Sequence, residues 1–427
     1  MRIFLYILLV SLLITPAYAS DWNMFKKDLS HSGYTTDPVS PPLVLKWNTS
    51  LGFETDSSPV IVNDVLYIGS NYGIHAIDVR TGKELWRTRT NGFVKSVPVV
   101  LDGVLYIGPD ERRFYALDTR DGSKKWEFTD VFQGFTTSAF VTNDIVYIGS
   151  KDGSFFALRM ADGNLSWKTD TGKVIESSAI MDSGTIAFGT NGGYVIGLDA
   201  SNGKSKWIYK AGFSDFSSSP AIAEGIMFIG SDDGRVYALT ASNGTLLWKF
   251  STGNNVESSP SIRNGIVYVG SQDSHFYAID AKTGSQKWSF SADGYVDSSP
   301  AISNDIVYFG SRNNYVYALD ANTGSLLWIN RTGDNAKDYI TSPAISGNMM
   351  FAATHSGYVY AYSSGIEPTA TPLPPTATPT AIETTATPSV TPTPTRTALP
   401  AETKKTPGFE FSVVILLIAL LARKKYR

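Results

Sequence analysis

Short runs dominated by Val, Ile, Tyr and Phe recur from residue 57 onward, each bounded by turn-forming residues. One stretch, residues 258–290, reads SSPSIRNGIVYVGSQDSHFYAIDAKTGSQKWSF. β-branched and aromatic residues fill 265–269, 275–280 and 286–290, which predicts three strands, with a weaker first strand over 259–262. Asn264-Gly265, Gln272-Asp273-Ser274 and Thr283-Gly284 supply the hairpin turns between them. Four antiparallel strands of this length form one blade-shaped sheet.

The unit repeats. Its ending reads AIDVRTGKELW to Trp86, ALDTRDGSKKW to Trp126, ALRMADGNLSW to Trp167 and GLDASNGKSKW to Trp207. ALTASNGTLLW to Trp248, AIDAKTGSQKW to Trp288 and ALDANTGSLLW to Trp328 follow. A period of about 40 residues means one supersecondary unit copied many times. The first strand of each unit opens on small residues such as Ser57-Ser58, Ser177-Ser178 and Ser298-Ser299, while the last carries Trp. Small side chains where sheets converge and large ones where they splay apart suit a wheel rather than a linear stack. Seven complete units start near Ser57, Ser96, Thr137, Ser177, Ser218, Ser258 and Ser298; an eighth starts at Thr341 and stops before its Trp strand. The missing strand is found at the other end, around Trp47. The fold class predicted is all-β: an eight-bladed β-propeller of four-stranded antiparallel blades, closed by an N-terminal strand that completes the last blade and removes two free edges. Trp47, Trp86, Trp126, Trp167, Trp207, Trp248, Trp288 and Trp328 are expected to be structural, docking each blade on its neighbour.

Of the 427 residues, 36 are basic and 39 acidic, a formal charge of −3 without the basic excess of a nucleic-acid binder. There is no cysteine, so disulfides, thiolate chemistry and a cysteine-linked lipid are excluded. Residues 1–19 read as an export signal: Arg2, an apolar stretch, then the small-x-small site Ala17-Tyr18-Ala19 before Ser20. Residues 20–365 are assigned to the propeller. Residues 366–406 collapse to Thr, Pro and Ala, a semi-rigid stalk that reaches on the order of 100 Å at ~3.1 Å per residue. Residues 407–427 carry Pro407-Gly408-Phe409, a short apolar run and a basic end, which favours a cytoplasmic C-terminus. The expected location is the outer face of the cell membrane.

The AxDxxTGxxxW phrase, complete at 76–86, 278–288 and 318–328, resembles the repeat of pyrroloquinoline-quinone-type propellers. The opening DWNMFKKDLSHSGYT is similar to that family's lead-in. The resemblance implies the fold but not the quinone, since many relatives are non-catalytic. The adjacent cysteines and the Glu/Asn/Asp calcium site of quinone dehydrogenases find no counterpart in this sequence. The last 22 or so residues resemble the PGF tail of archaeal surface proteins, which implies removal by an archaeosortase and replacement by a lipid; an ordinary membrane anchor is the alternative.

Strand alternation puts the residue preceding each Ser-Ser-Pro-like start near the axis on one face: Asp56, Lys95, Thr136, Glu176, Ser217, Glu257, Asp297 and Ile340. Asp56, Lys95, Glu176, Glu257 and Asp297 are the candidate ligand-binding residues, because crowded carboxylates attract a cation or raise one another's pKa. The same face carries Asp110-Glu111-Arg112-Arg113, Asp232-Asp233, Gln272-Asp273 and Arg312-Asn313-Asn314, with Tyr72, Phe93, Phe135, Phe213, Phe216 and Tyr295 nearby. His31, His75, His275 and His355 lack metal-ligand spacing, and no catalytic motif stands in a convincing context. Asn48, Asn164, Asn243 and Asn330 head glycosylation sequons. The expectation is a monomeric, non-catalytic binding or scaffold propeller that meets an envelope protein or glycan, with no cofactor and no nucleic acid. The alternatives are an oxidoreductase binding pyrroloquinoline quinone and calcium on the central face, and a purely structural envelope component.

Overall fold

The computed structural model describes residues 20–333 and 338–365. The export signal, the stalk and the PGF tail expected from the sequence lie outside them. Eight separate sheets make up the described chain, and no helix is present among these residues. In blade six, Ser261–Arg263, Ile266–Gly270, His275–Asp280 and Gln286–Ser291 pair in sequence order, every pair antiparallel. The first turn of that blade puts Asn264 and Gly265 at φ 49° and 71°, as a two-residue hairpin requires. Blade one follows the same plan. There Val65–Asp78 is one continuous run that folds back at Tyr72 (φ 68°), with Val79 N donating to Asp64 O at 3.0 Å.

The ring closes with strands from both ends of the propeller. Leu43–Ser50 pairs antiparallel with Tyr358–Ser364, from Leu43 opposite Ser364 to Ser50 opposite Tyr358, and becomes the outer strand of blade eight. The two middle strands of each blade are buried almost throughout, whereas outer strands such as Leu326–Arg331 alternate exposed and half-buried residues. Blades meet through stacked rings, Phe155 on Phe188 at 4.3 Å and Phe276 on Phe309 at 4.1 Å.

Two hydrogen-bonded circuits hold the wheel. On the outside, Trp47, Trp86, Trp126, Trp167, Trp207, Trp248 and Trp288 each donate Nε1–H to a backbone carbonyl at the start of the next blade's Gly turn, at 2.7–3.1 Å. Each indole lies where a Cβ on that turn's glycine would fall, as Trp248 does against Gly284. Trp328 differs: among the described residues no such turn follows the third strand of blade eight, and this indole packs edge-on against Tyr362 at 5.6 Å. Near the axis, the backbone N–H of Val97, Ser138, Ser178, Ser219, Ser259, Ser299 and Ser342 each donates to the serine hydroxyl of the following blade. The circuit runs from blade two round to Ser58 of blade one and breaks where Val97 brings no hydroxyl. Small residues at this radius therefore serve as blade-to-blade links as well as space savers.

Residues 20–37 form a part of the fold that the repeat did not foretell. Trp22 exchanges two bonds with Ile61, Asn23 O accepts from Val100, Ser30 O from Ile222, Ser32 O from Ile262 and Gly33 O from Ile302. These partners are each the middle residue of a three-residue inner strand, past the Ser-Ser-Pro starts, so the segment lies at the side of the axis away from the candidate site. Lys26 is buried there, its ammonium on Ser259 O, Ser261 Oγ and Pro300 O. His31 is buried too, with Nδ1 2.8 Å from Pro220 O.

Candidate functional site

The loops that lead into the inner strands and the middle hairpins share one face, because successive strands alternate direction. Around the axis on this face the side chains form two charged groups. In the first, Asp56 is held by the Tyr339 hydroxyl, by His355 Nδ1 at 2.7 Å and by Lys95 Nζ at 3.2 Å. Tyr339 and His355 stack at 4.6 Å. Burial works to raise the Asp56 carboxyl, but Tyr339, Lys95 and His355 outweigh it and hold the group below its ordinary value. Tyr339 is pushed up by burial and then by Asp56, which keeps its phenol a donor.

The second group centres on Arg312. Its Nε donates to Asp297 and its Nη2 stands 3.8 Å from Glu257, while its guanidinium lies 5.8 Å from the Tyr339 ring and 5.9 Å from Tyr295. Tyr339 thereby bridges the two groups. Glu257 also accepts from Gln272 Nε2 at 2.7 Å. Burial raises the Glu257 carboxyl and neighbouring Asp297 adds to it, with Arg312 opposing. Asp232 is raised as well, by burial first and then by Asp215, Glu176 and Asp233, against the Ser217 hydroxyl it accepts from at 2.8 Å. One carboxylate oxygen of Asp232 and one of Asp297 are buried with no hydrogen-bond partner, as is Thr136 Oγ1. Buried acceptors left this way favour a donor from outside.

The structure thus brings Glu257 and Asp297 together on one guanidinium and Asp56 together with Lys95. Glu176 is exposed and reaches the cluster only through its charge on Asp232. Ile340 corrects the reading of blade eight. It is buried against Gly310, in the place Val296 takes against Gly270, and Tyr339 stands at the mouth instead. The loop into this blade is one residue shorter after its apolar anchor, so no side chain occupies the expected position. Phe135 and Phe216 are also corrected. Both are fully buried beneath Gly108 and Gly189 and belong to the core, not to a surface. Phe53, Tyr72 and Phe93 do form an exposed edge-to-face cluster on the rim, at 5.9 and 5.4 Å, and Phe213 is 89% exposed. Tyr339, Arg312 and Asp232 complete the site. Asp232 and Arg312 stand in the hairpins already marked as polar, whereas nothing in the repeat flags Tyr339.

The quinone-and-calcium site of the oxidoreductase alternative does not fit these residues. A guanidinium sits between Glu257 and Asp297 where a dication's charge would be, and Asp56 is already taken by three donors. Among the described residues no three His, Cys, Asp or Glu side chains gather as a metal set.

The sequence matches the family described as outer membrane protein assembly factor BamB over residues 44–173, 129–215 and 210–371. The chain belongs to this family. The BamB-family match begins inside the strand that closes the ring and runs through blade eight. No curated protein sequence matches. Among solved structures, BamB from Moraxella catarrhalis is similar with a TM-score of 0.65 at 16% identity, covering 75% of this chain and 99% of that one. The quinohemoprotein alcohol dehydrogenase from Comamonas testosteroni has a TM-score of 0.69 at 15% identity, covering 81% and 80%. The computationally designed protein Ika8 has a TM-score of 0.65 at 17% identity, covering 77% and 100%. At such identities the likeness is one of fold. An assembly factor, an oxidoreductase and a designed protein share it, so the BamB-family wheel does not by itself specify chemistry.

The sequon residues Asn48, Asn164 and Asn243 are exposed, whereas Asn330 is half-buried with Nδ2 donating to the Tyr362 hydroxyl at 3.0 Å. Among the described residues no helix is long and apolar enough to cross a membrane.

Proposed function

We propose that this chain is an exported propeller, held at the outer cell surface by its C-terminal stalk and tail, that works by binding rather than by catalysis. The funnel face grips a protein partner that presents a basic side chain. The observation that carries this reading is the acidic half of the mouth: Asp232 and Asp297 each keep a buried carboxylate oxygen unpartnered, and the Asp232 and Glu257 carboxyls are raised. A cationic guest would relieve both conditions at once, by donating to the orphaned acceptors and by lowering those carboxyls. The exposed Phe53, Tyr72 and Phe93 offer apolar contact on the same rim. The family's BamB description supports an envelope role in protein assembly.

The test uses purified full chain against arrays of lysine- and arginine-bearing peptides, with acidic peptides and glycans as controls. Basic peptides should bind in a salt-sensitive way, and Glu176→Gln/Asp232→Asn/Glu257→Gln should weaken them by about tenfold or more. Binding indifferent to those substitutions overturns the assignment of the face. Binding to glycans alone moves the partner class to sugars. Saturable uptake of pyrroloquinoline quinone with calcium and dye reduction overturns the non-catalytic reading.

A further inference from the structure

The segment 20–37 makes a loop round the far end of the axis and returns to its own start. It touches blades one and two through Trp22 and Asn23, then blades five, six and seven through Ser30, Ser32 and Gly33. Asp37 closes it. The Asp37 carboxylate accepts from Gly347 N of blade eight at 2.6 Å and from Ser20 N at 3.0 and 3.3 Å through its two oxygens. Asp37 is buried, and its own carbonyl accepts from Ser303 Oγ at 2.6 Å, so it is fixed from both sides. The Ser20 side chain is also engaged, with Thr35 Oγ1 at 3.0 Å and Lys27 Nζ at 2.7 Å.

Ser20 is the residue that follows the small-x-small site Ala17-Tyr18-Ala19. We infer that cleavage of the Ala19–Ser20 bond creates the charge that fastens this loop: the new α-ammonium of Ser20 pairs with Asp37 and clasps the two ends of the segment beneath the wheel. The cut is a hydrolysis by a peptidase of the export machinery. Water adds across the amide, its oxygen completes the Ala19 carboxylate, and Ser20 is left with an amine that takes up a proton near neutral pH. Before the cut Ser20 offers a neutral amide N–H at this place; afterwards it offers a cation, and hydrogen bonds between charged partners are roughly twice as strong as neutral ones. Because Asp37 also holds the turn at Gly347, the clasp ties the start of the mature chain to the blade that closes the ring. Maturation would therefore tighten the propeller at its seam.

The inference rests on the export reading only for the enzyme that makes the cut, and two measurements keep them apart. Intact mass of exported protein should show Ser20 as the first residue; a different first residue overturns the assigned cut. Independently, full-length chain made to begin at Ser20 is compared with chain carrying one extra alanine before it, each with Asp37 and with Asp37→Asn. Beginning at Ser20 should favour the folded state by about fivefold or more over the extended form. Asp37→Asn should abolish that advantage, so that the two starts melt alike, and amide exchange at Gly347 should speed up in step. If the extra alanine costs nothing, or costs as much in the Asp37→Asn background, the clasp is refuted whatever the fate of the protein in the cell.

Discussion

Gly284 and Gly265 provide a controlled pair for measuring what tryptophan docking contributes to this wheel. Both belong to blade six and both sit at φ 71°. An alanine at either position takes on the left-handed backbone penalty of ~1–2 kcal/mol. At Gly265 nothing lies within 4 Å of an added Cβ, so that penalty is the whole effect. At Gly284 the Cβ would fall 2.7 Å from Trp248 Cδ2 and 2.9 Å from Cε3 and Cγ. The indole must move, which adds an overpacking cost of ~1–3 kcal/mol. Moving it also strains the 3.0 Å bond from Trp248 Nε1 to Ala281 O, worth a further ~0.5–1.5 kcal/mol. Gly284→Ala should therefore destabilise by about 2.5–6.5 kcal/mol and Gly265→Ala by about 1–2 kcal/mol. Urea denaturation followed by far-UV circular dichroism reads both, and Trp248 near-UV signal should change only in the first variant. Equal losses in the two variants would show that the indole yields freely and that docking on the Gly turn does not stabilise the ring.

Two pH-dependent predictions follow from the buried ionisable groups. The Asp232 carboxyl is raised on folding from 3.8, so the native state binds more protons than the unfolded chain between the two values, and stability falls as pH rises through that window. Asp232→Asn removes the penalty: the variant should melt above the wild type at pH 7, with the gap closing as pH falls below the ordinary carboxylate value, and a gap of the opposite sign counts against the reasoning. His31 is lowered from 6.5 to about 4, chiefly by burial, so its contribution is fully present above 6.5 and is lost as pH falls toward 4. That loss is on the order of 3 kcal/mol, and it should be missing from the pH profile of His31→Gln in denaturant titrations.

The funnel shows where reading the chain stopped. Asp56, Glu257 and Asp297 were legible because each precedes a Ser-Ser-Pro start, and strand alternation assigns that position to one face. Their partners were not. Tyr339 lies 283 residues from Asp56 along the chain, and its place depends on blade eight having a shorter loop, a local departure that the repeat conceals. Phe135 and Phe216 misled for a related reason. An aromatic one residue before the axis position looks like a surface contact, yet it is the anchor that fills the space over a glycine at the second strand of the preceding blade.

Taken alone, the amino-acid order determined the wheel: the Trp-and-Gly period, the small residues at the inner strands and the displaced eighth Trp strand encode blade number and closure. These features are local or periodic, so a one-dimensional pattern is enough to carry them. Tertiary structure decided which charges meet at the mouth, which face residues 20–37 cover and what Asp37 holds. Decisive contacts among them, Asp56 with Tyr339 and Asp37 with Gly347, join residues 283 and 310 positions apart, and only the closed ring brings them within hydrogen-bonding distance.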